Sequence, residues 1–127
     1  MTRRVVPAVS PMAATVGYSR AVRVGDLVSV AGTAPVMPNG ADPPQDPYGQ
    51  AKRCLEIIVA ALAEVGAGPE HVVRTRIYLT DARHWEEVGR AHGEVFANAR
   101  PATTMLAVAA LLDPRWRVEI EADAVVT

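Results

Sequence analysis

Two alternating segments carry the residues best suited to chemistry. In Arg117 to Val126, Glu119, Glu121 and Asp123 fall on one side, and Val118, Ile120 and Ala122 on the other. In Val72 to Thr80, Arg74, Arg76, Tyr78 and Thr80 share one side, while Val73, Thr75, Ile77 and Leu79 share the other. A strand carboxylate can orient and deprotonate a water molecule. An arginine can hold an anion through charge-assisted hydrogen bonds. The structural alternative is that these charges pair with each other, Arg76 with Glu119 or Glu121.

Other reactive side chains are sparse. Cys54 is the single cysteine, which excludes an internal disulfide and a Cys-rich zinc site. It falls on an apolar helical stripe, where it acts as a small filler. His84 and His92 are eight residues apart on one helix, with no further metal ligands in readable spacing. Ser10, Ser19 and Ser29 stand in no readable relation to a histidine and an acid. There is no Gly-rich phosphate loop, HExxH or GxSxG.

The elements that must position these residues follow from the pattern. The 127 residues are 50% hydrophobic and 21% charged, enough for one cored domain over 1–127 rather than a disordered chain. A formal net charge of −1 removes the electrostatic case for nucleic-acid binding. No run approaches a membrane span. With one cysteine and no signal-peptide pattern, the expected compartment is the cytoplasm. Ala21–Val24 and Leu27–Ala31 predict a hairpin about Gly25 and Asp26. The proline-rich stretch 36–47 predicts an exposed loop. Asp46 as N-cap and Pro47 at the first position predict a helix, with Ala51, Cys54, Leu55, Ile58, Ala61, Leu62 and Val65 as its inner stripe. Asp81 caps a second helix with Trp85, Val88, His92, Val95 and Phe96 facing inward. Thr103–Ala109 and Arg117–Val126 predict two final strands. The fold class is therefore α+β: β-β-α-β-α-β-β, one mixed sheet with two helices on one face. The uncovered face is expected to be apolar and to be buried by closed self-association.

Three ordered segments resemble the RidA/YjgF family of reactive-intermediate deaminases, also labelled L-PSP endoribonucleases. Tyr18 to Val28, followed by Val30-Ala31-Gly32, resembles the family opening PYSQAVKVGDLVFVSG. Val72 to Asp81 resembles VVKTTVFLTD. Arg100-Pro101-Ala102-Thr103-Thr104, with Val118 to Ala122 further on, resembles RPARS…VEIEA. The resemblance implies the chorismate mutase-like RidA fold, a homotrimer with clefts at subunit boundaries, and no cofactor or metal. It also implies hydrolysis of a small-molecule imine or enamine to a carbonyl compound and ammonia.

By position, the resemblance makes Glu119 the catalytic residue that directs water. It makes Tyr18, Gly32, Thr103 and Met105 the cleft lining. Thr103 stands where the family has its carboxylate-binding arginine, Met105 where cysteine is frequent, and Gly89 where an asparagine is common. One threonine hydroxyl supplies a neutral hydrogen bond in place of a bidentate ionic one. The substrate is therefore expected to differ, with weak activity on simple 2-imino acids, and Arg76 is the candidate replacement anion contact. The alternatives are a non-catalytic trimer that binds a metabolite or a protein, and, more weakly, a ribonuclease.

Overall fold

Six strands in one sheet and two helices packed on one face of it carry the candidate residues, in a computed structural model that describes residues 1–127. The strands are β1 (Arg3–Pro7), β2 (Ser19–Val24), β3 (Leu27–Thr33), β4 (Val72–Leu79), β5 (Ala102–Ala107) and β6 (Val118–Val125). The helices are α1 (Ala13–Val16), α2 (Pro47–Glu64) and α3 (Trp85–Phe96). The spatial strand order is β1-β2-β3-β6-β4-β5. Only β4 and β5 lie parallel as direct neighbours, with α3 as their crossover. β6 is antiparallel to both β3 and β4 and lies between them.

Local chemistry sets most of these elements. Gly25 takes φ 59° in the two-residue turn of the β2–β3 hairpin, a conformation that a Cβ disfavours. The Asp46 carboxylate accepts the Gly49 N–H at 2.8 Å, and Pro47 opens α2. The whole expected α2 stripe is buried, Cys54 included. Burial pushes the Cys54 thiol pKa far above its ordinary value, so it remains a protonated filler.

The N-terminal strand was not expected. β1 pairs with β2, and of its residues only Val6 is buried. Its Arg4 joins Arg23 at the C-terminal end of α2. Arg23 donates to the Val65 carbonyl at 2.7 Å, and Arg4 to Val65 and Glu64 at 3.4 and 3.2 Å. Cations at a helix C-terminus satisfy its orphan carbonyls and oppose its dipole.

Three expectations need correction. Trp85 does not face inward. It begins α3 at 58% exposure, while Val88, Ala91 and Phe96 form the buried face. Val73 is 49% exposed because the β4–β6 register shifts between Val72 and Arg74, so Val72 takes the inward position. The open face is not uniformly apolar. Leu27 and Leu106 are exposed there, but its centre is a polar network. Arg76 Nη1 lies 3.3 Å from Asp123 Oδ2 and 3.8 Å from Glu121 Oε2, Ser29 donates to Asp123 at 3.0 Å, and Tyr78 donates to Glu121.

Candidate functional site

β6 alternates strictly: Val118, Ile120, Ala122 and Ala124 are buried beneath the helices, and Glu119, Glu121 and Asp123 are half-buried on the other face. Glu119 is level with Tyr78 on β4. On the β3 side its carboxylate lies against Gly32, where an added Cβ would come within 2.8 Å of Glu119 Oε2. The missing side chain is therefore what makes room for the acid. Burial raises the Glu119 pKa above the ordinary carboxylate value, with Arg20 opposing that rise.

The sequence pattern gives Arg20 no role, and the structure does. Its Nη2 donates to the Gly32 carbonyl at 2.6 Å, so Arg20 and Glu119 meet the same glycine. Its Nε is buried with no hydrogen-bond partner. Burial lowers its pKa, and Tyr18 and Glu119 act in the opposite direction. Tyr18, just before β2, is half-buried. It lines, with Arg20, a cleft of about 900 Å³ between the Val6–Met12 segment, the loop after β3 and the outer side of α2. More than half of the lining residues are apolar, Ile57, Ala60 and Trp116 among them. The volume falls in the usual range for small-molecule sites.

Thr103 and Met105 belong elsewhere in the chain. Thr103 is level with Thr75 and Met105 with Ile77, on the face covered by α3. Thr75 is fully buried and its Oγ1 lies 2.8 Å from both His92 Nε2 and Thr103 Oγ1. Thr103 donates to the Pro101 carbonyl at 3.0 Å. Each hydroxyl has one proton, so Thr75 donates to Thr103 and His92 Nε2–H donates to Thr75. Burial lowers the His92 pKa, in keeping with a neutral ring. Met105 packs at the edge of the core, its Cε 4.0 Å from where a Cβ on Gly89 would lie.

The expected convergence of Glu119 with Thr103 and Met105 is therefore not met within one chain. β4 separates their strands, and they project from opposite faces. What one chain does bring together is Glu119, Gly32, Arg20 and Tyr18. Arg76 takes part in ion pairs on the open face. Its guanidinium is engaged by Glu121 and Asp123, the structural alternative, because residues that share a face of paired strands are forced into register.

A second polar residue was invisible in the sequence. Gln50, on the inner side of α2, donates to the Pro44 and Arg115 carbonyls at 2.8 and 2.9 Å and accepts the Arg117 N–H at 2.7 Å. It ties two cleft-forming segments to the helix. No group of three or more His, Cys, Asp or Glu side chains is arranged to hold a metal ion. No helix is long and apolar enough to cross a membrane.

Comparison with known proteins places this arrangement. Residues 8–126 match the family model described as Endoribonuclease L-PSP. An uncharacterized protein of Streptomyces coelicolor is 43% identical over 115 residues, covering 91% of this chain and 86% of that one. The crystal structure of a YjgF/YER057c/UK114 family member from Mycobacterium tuberculosis superposes with a TM-score of 0.90 at 46% identity. It covers 98% of this chain and 100% of that chain. The crystal structure of TdcF from E. coli, solved with bound serine, gives a TM-score of 0.82 at 25% identity, covering 98% and 94%. The match spans β2 to β6 and takes in Glu119, Gly32 and Tyr18, so the chain belongs to the RidA/YjgF family.

Proposed function

We propose that the protein is a cofactor-independent hydrolase of the cytoplasm, converting a reactive imine or enamine to a carbonyl compound and ammonia. The observation that carries this reading is the half-buried Glu119 carboxylate held against Gly32. Glu119 accepts a proton from water as the water oxygen bonds to the carbon of the protonated imine, and the C=N π pair moves to nitrogen, giving a neutral carbinolamine. Glu119 returns that proton to the amine nitrogen, then takes the hydroxyl proton as the C=O bond forms and the C–N bond breaks; ammonia leaves and Glu119 releases the proton to solvent. A raised pKa brings a carboxylate closer to the strength needed for both transfers.

The working unit in this reading is a homotrimer. Thr103 and Met105 of one copy complete a cleft with Glu119, Gly32 and Tyr18 of the next. This supplies the convergence that one chain lacks and covers exposed Leu27 and Leu106. The bound serine in the TdcF structure, a small molecule with a carboxylate, fits a substrate of that class. The substrate here differs from simple 2-imino acids because the Thr103 hydroxyl is committed to Thr75 and Pro101.

The same commitment favours a second reading, a non-catalytic trimer that binds a small metabolite. Ammonia and semicarbazone formation from a panel of oxidase-generated imines separates the two. Turnover that falls about 10²–10⁴-fold in Glu119→Gln, with Glu121→Gln much less affected, is the hydrolase result. Binding without turnover of any imine is the other.

A further inference from the structure

Arg20 and Glu119 carry opposite charges and feel each other electrostatically, yet they do not close into an ion pair. Both reach the same glycine, Arg20 through the Gly32 carbonyl and Glu119 through the space a Cβ would fill. Arg20 has one nitrogen engaged by that carbonyl and a buried Nε with no partner. A half-buried guanidinium with a shielded Nε that no acceptor fills, at the wall of a cleft, is a poor structural residue. It is a good receptor for a carboxylate, whose two oxygens match its planar fork.

The other arginines at the cleft are occupied or peripheral. Arg115 is paired with Asp42 and Asp113, and Arg53 donates to the Val36 carbonyl at an exposed position. The family opening PYSQAVKVG carries glutamine where this chain has Arg20. From Arg20 the cleft runs on to Ile57, Ala60 and Trp116, an apolar wall.

We propose that Arg20 is the carboxylate-binding residue of this site and that the adjoining cleft takes an apolar side chain. The ligand class is then a 2-oxo acid, or its imine, with a branched or aromatic side chain. The inference rests on the hydrolase reading for the imine, but the binding claim stands apart from turnover. With the ligand carboxylate on Arg20, Glu119, whose carboxylate lies where a Cβ of the same Gly32 would be, directs water at the imine carbon.

The test uses stable product-like acids, so that binding is read without catalysis. 4-Methyl-2-oxopentanoate, 2-oxopropanoate and the methyl ester of the former are titrated into the wild-type protein, Arg20→Gln, Arg20→Lys and Glu119→Gln. Calorimetry and the fluorescence of Trp116, in a Trp85→Phe background, report binding. The wild type should prefer the long-chain acid to 2-oxopropanoate by about tenfold or more, since each buried methylene adds roughly fourfold. It should discriminate against the ester. Arg20→Gln should weaken acid binding about ten- to hundredfold and abolish that discrimination, Arg20→Lys should fall between, and Glu119→Gln should retain binding. Binding of the ester as tightly as the acid by the wild type overturns the assignment, whatever the folding of the variants. Unchanged acid affinity in Arg20→Gln, or no 2-oxo acid binding at all, also overturns it. Ammonia release from the matching imines is scored separately. Arg20-dependent binding without turnover removes the hydrolase reading and leaves the Arg20 assignment intact. Turnover with KM unaltered in Arg20→Gln removes the assignment and leaves the hydrolase.

Discussion

Position 32 shows how little side chain separates a scaffold from a site. In Gly32→Ala the new methyl would sit 2.8 Å from Glu119 Oε2, the far end of a flexible side chain. Stability should therefore change little, while the carboxylate is pushed from the position in which the proposed mechanism uses it. The expected outcome is a loss of kcat with Tm within a few degrees of wild type, measured by ammonia release and thermal denaturation. Thr103 is the complementary case. It is exposed on edge strand β5, so an arginine can extend from it without displacing core atoms. Thr103→Arg should raise turnover of 2-iminobutyrate from a weak wild-type level, and no increase would mean that the neighbouring geometry no longer supports that substrate. In the proposed hydrolase the pH profile is expected to follow Glu119, which must be ionised to act as base. Because its pKa is raised, the acidic fall in kcat should lie above the 4.5 of an ordinary glutamate, and the fall should disappear from the residual rate of Glu119→Gln.

At the scale of elements, α3 and edge strand β5 are linked through β4 by two hydroxyls and an imidazole. Thr75 accepts from His92 and donates to Thr103 with no exposed surface of its own. Thr75→Val keeps the shape and removes both bonds, leaving a half-buried ring N–H unpaired. It should lower stability by about 1–3 kcal/mol in chemical denaturation. The same link makes stability pH-dependent. The folded-state pKa of His92 lies below its unfolded value because burial disfavours the cation. Its contribution is present above the unfolded pKa of 6.5 and is lost as pH falls through the folded value. His92→Gln should flatten that acidic slope in the denaturation midpoint, and an unchanged slope would place the titration elsewhere.

The whole molecule presents an open sheet face whose charged centre, Arg76 with Glu121 and Asp123, is flanked by exposed Leu27 and Leu106. A face of this mixed character suits a closed assembly, with apolar patches excluding water around satisfied ion pairs. Sedimentation should show a homotrimer, with no stable folded monomer at micromolar concentration. A folded monomer there would contradict both the trimer and a cleft shared between copies. Tyr78 belongs to the same surface, since its hydrogen bond to Glu121 raises the phenol pKa and keeps it protonated across neutral pH.

Local physics in the chain itself determined α2, the β2–β3 hairpin and most of the alternation in β4 and β6. A cap at Asp46, a proline at 47, a positive φ at Gly25 and a period of two or 3.6 are all written within a few residues of where they act. The family resemblance likewise singled out Glu119, Gly32 and Tyr18. Strand neighbours are non-local, so only the tertiary structure decided that β6 enters between β3 and β4 and that Arg3–Pro7 pairs as a strand. The side on which Thr103 and Met105 lie is equally non-local, because it depends on which face the helices cover rather than on alternation alone. Arg20 shows the same limit: as a sequence letter it is one of thirteen basic residues, and it becomes a candidate site only when folding buries its Nε beside Glu119.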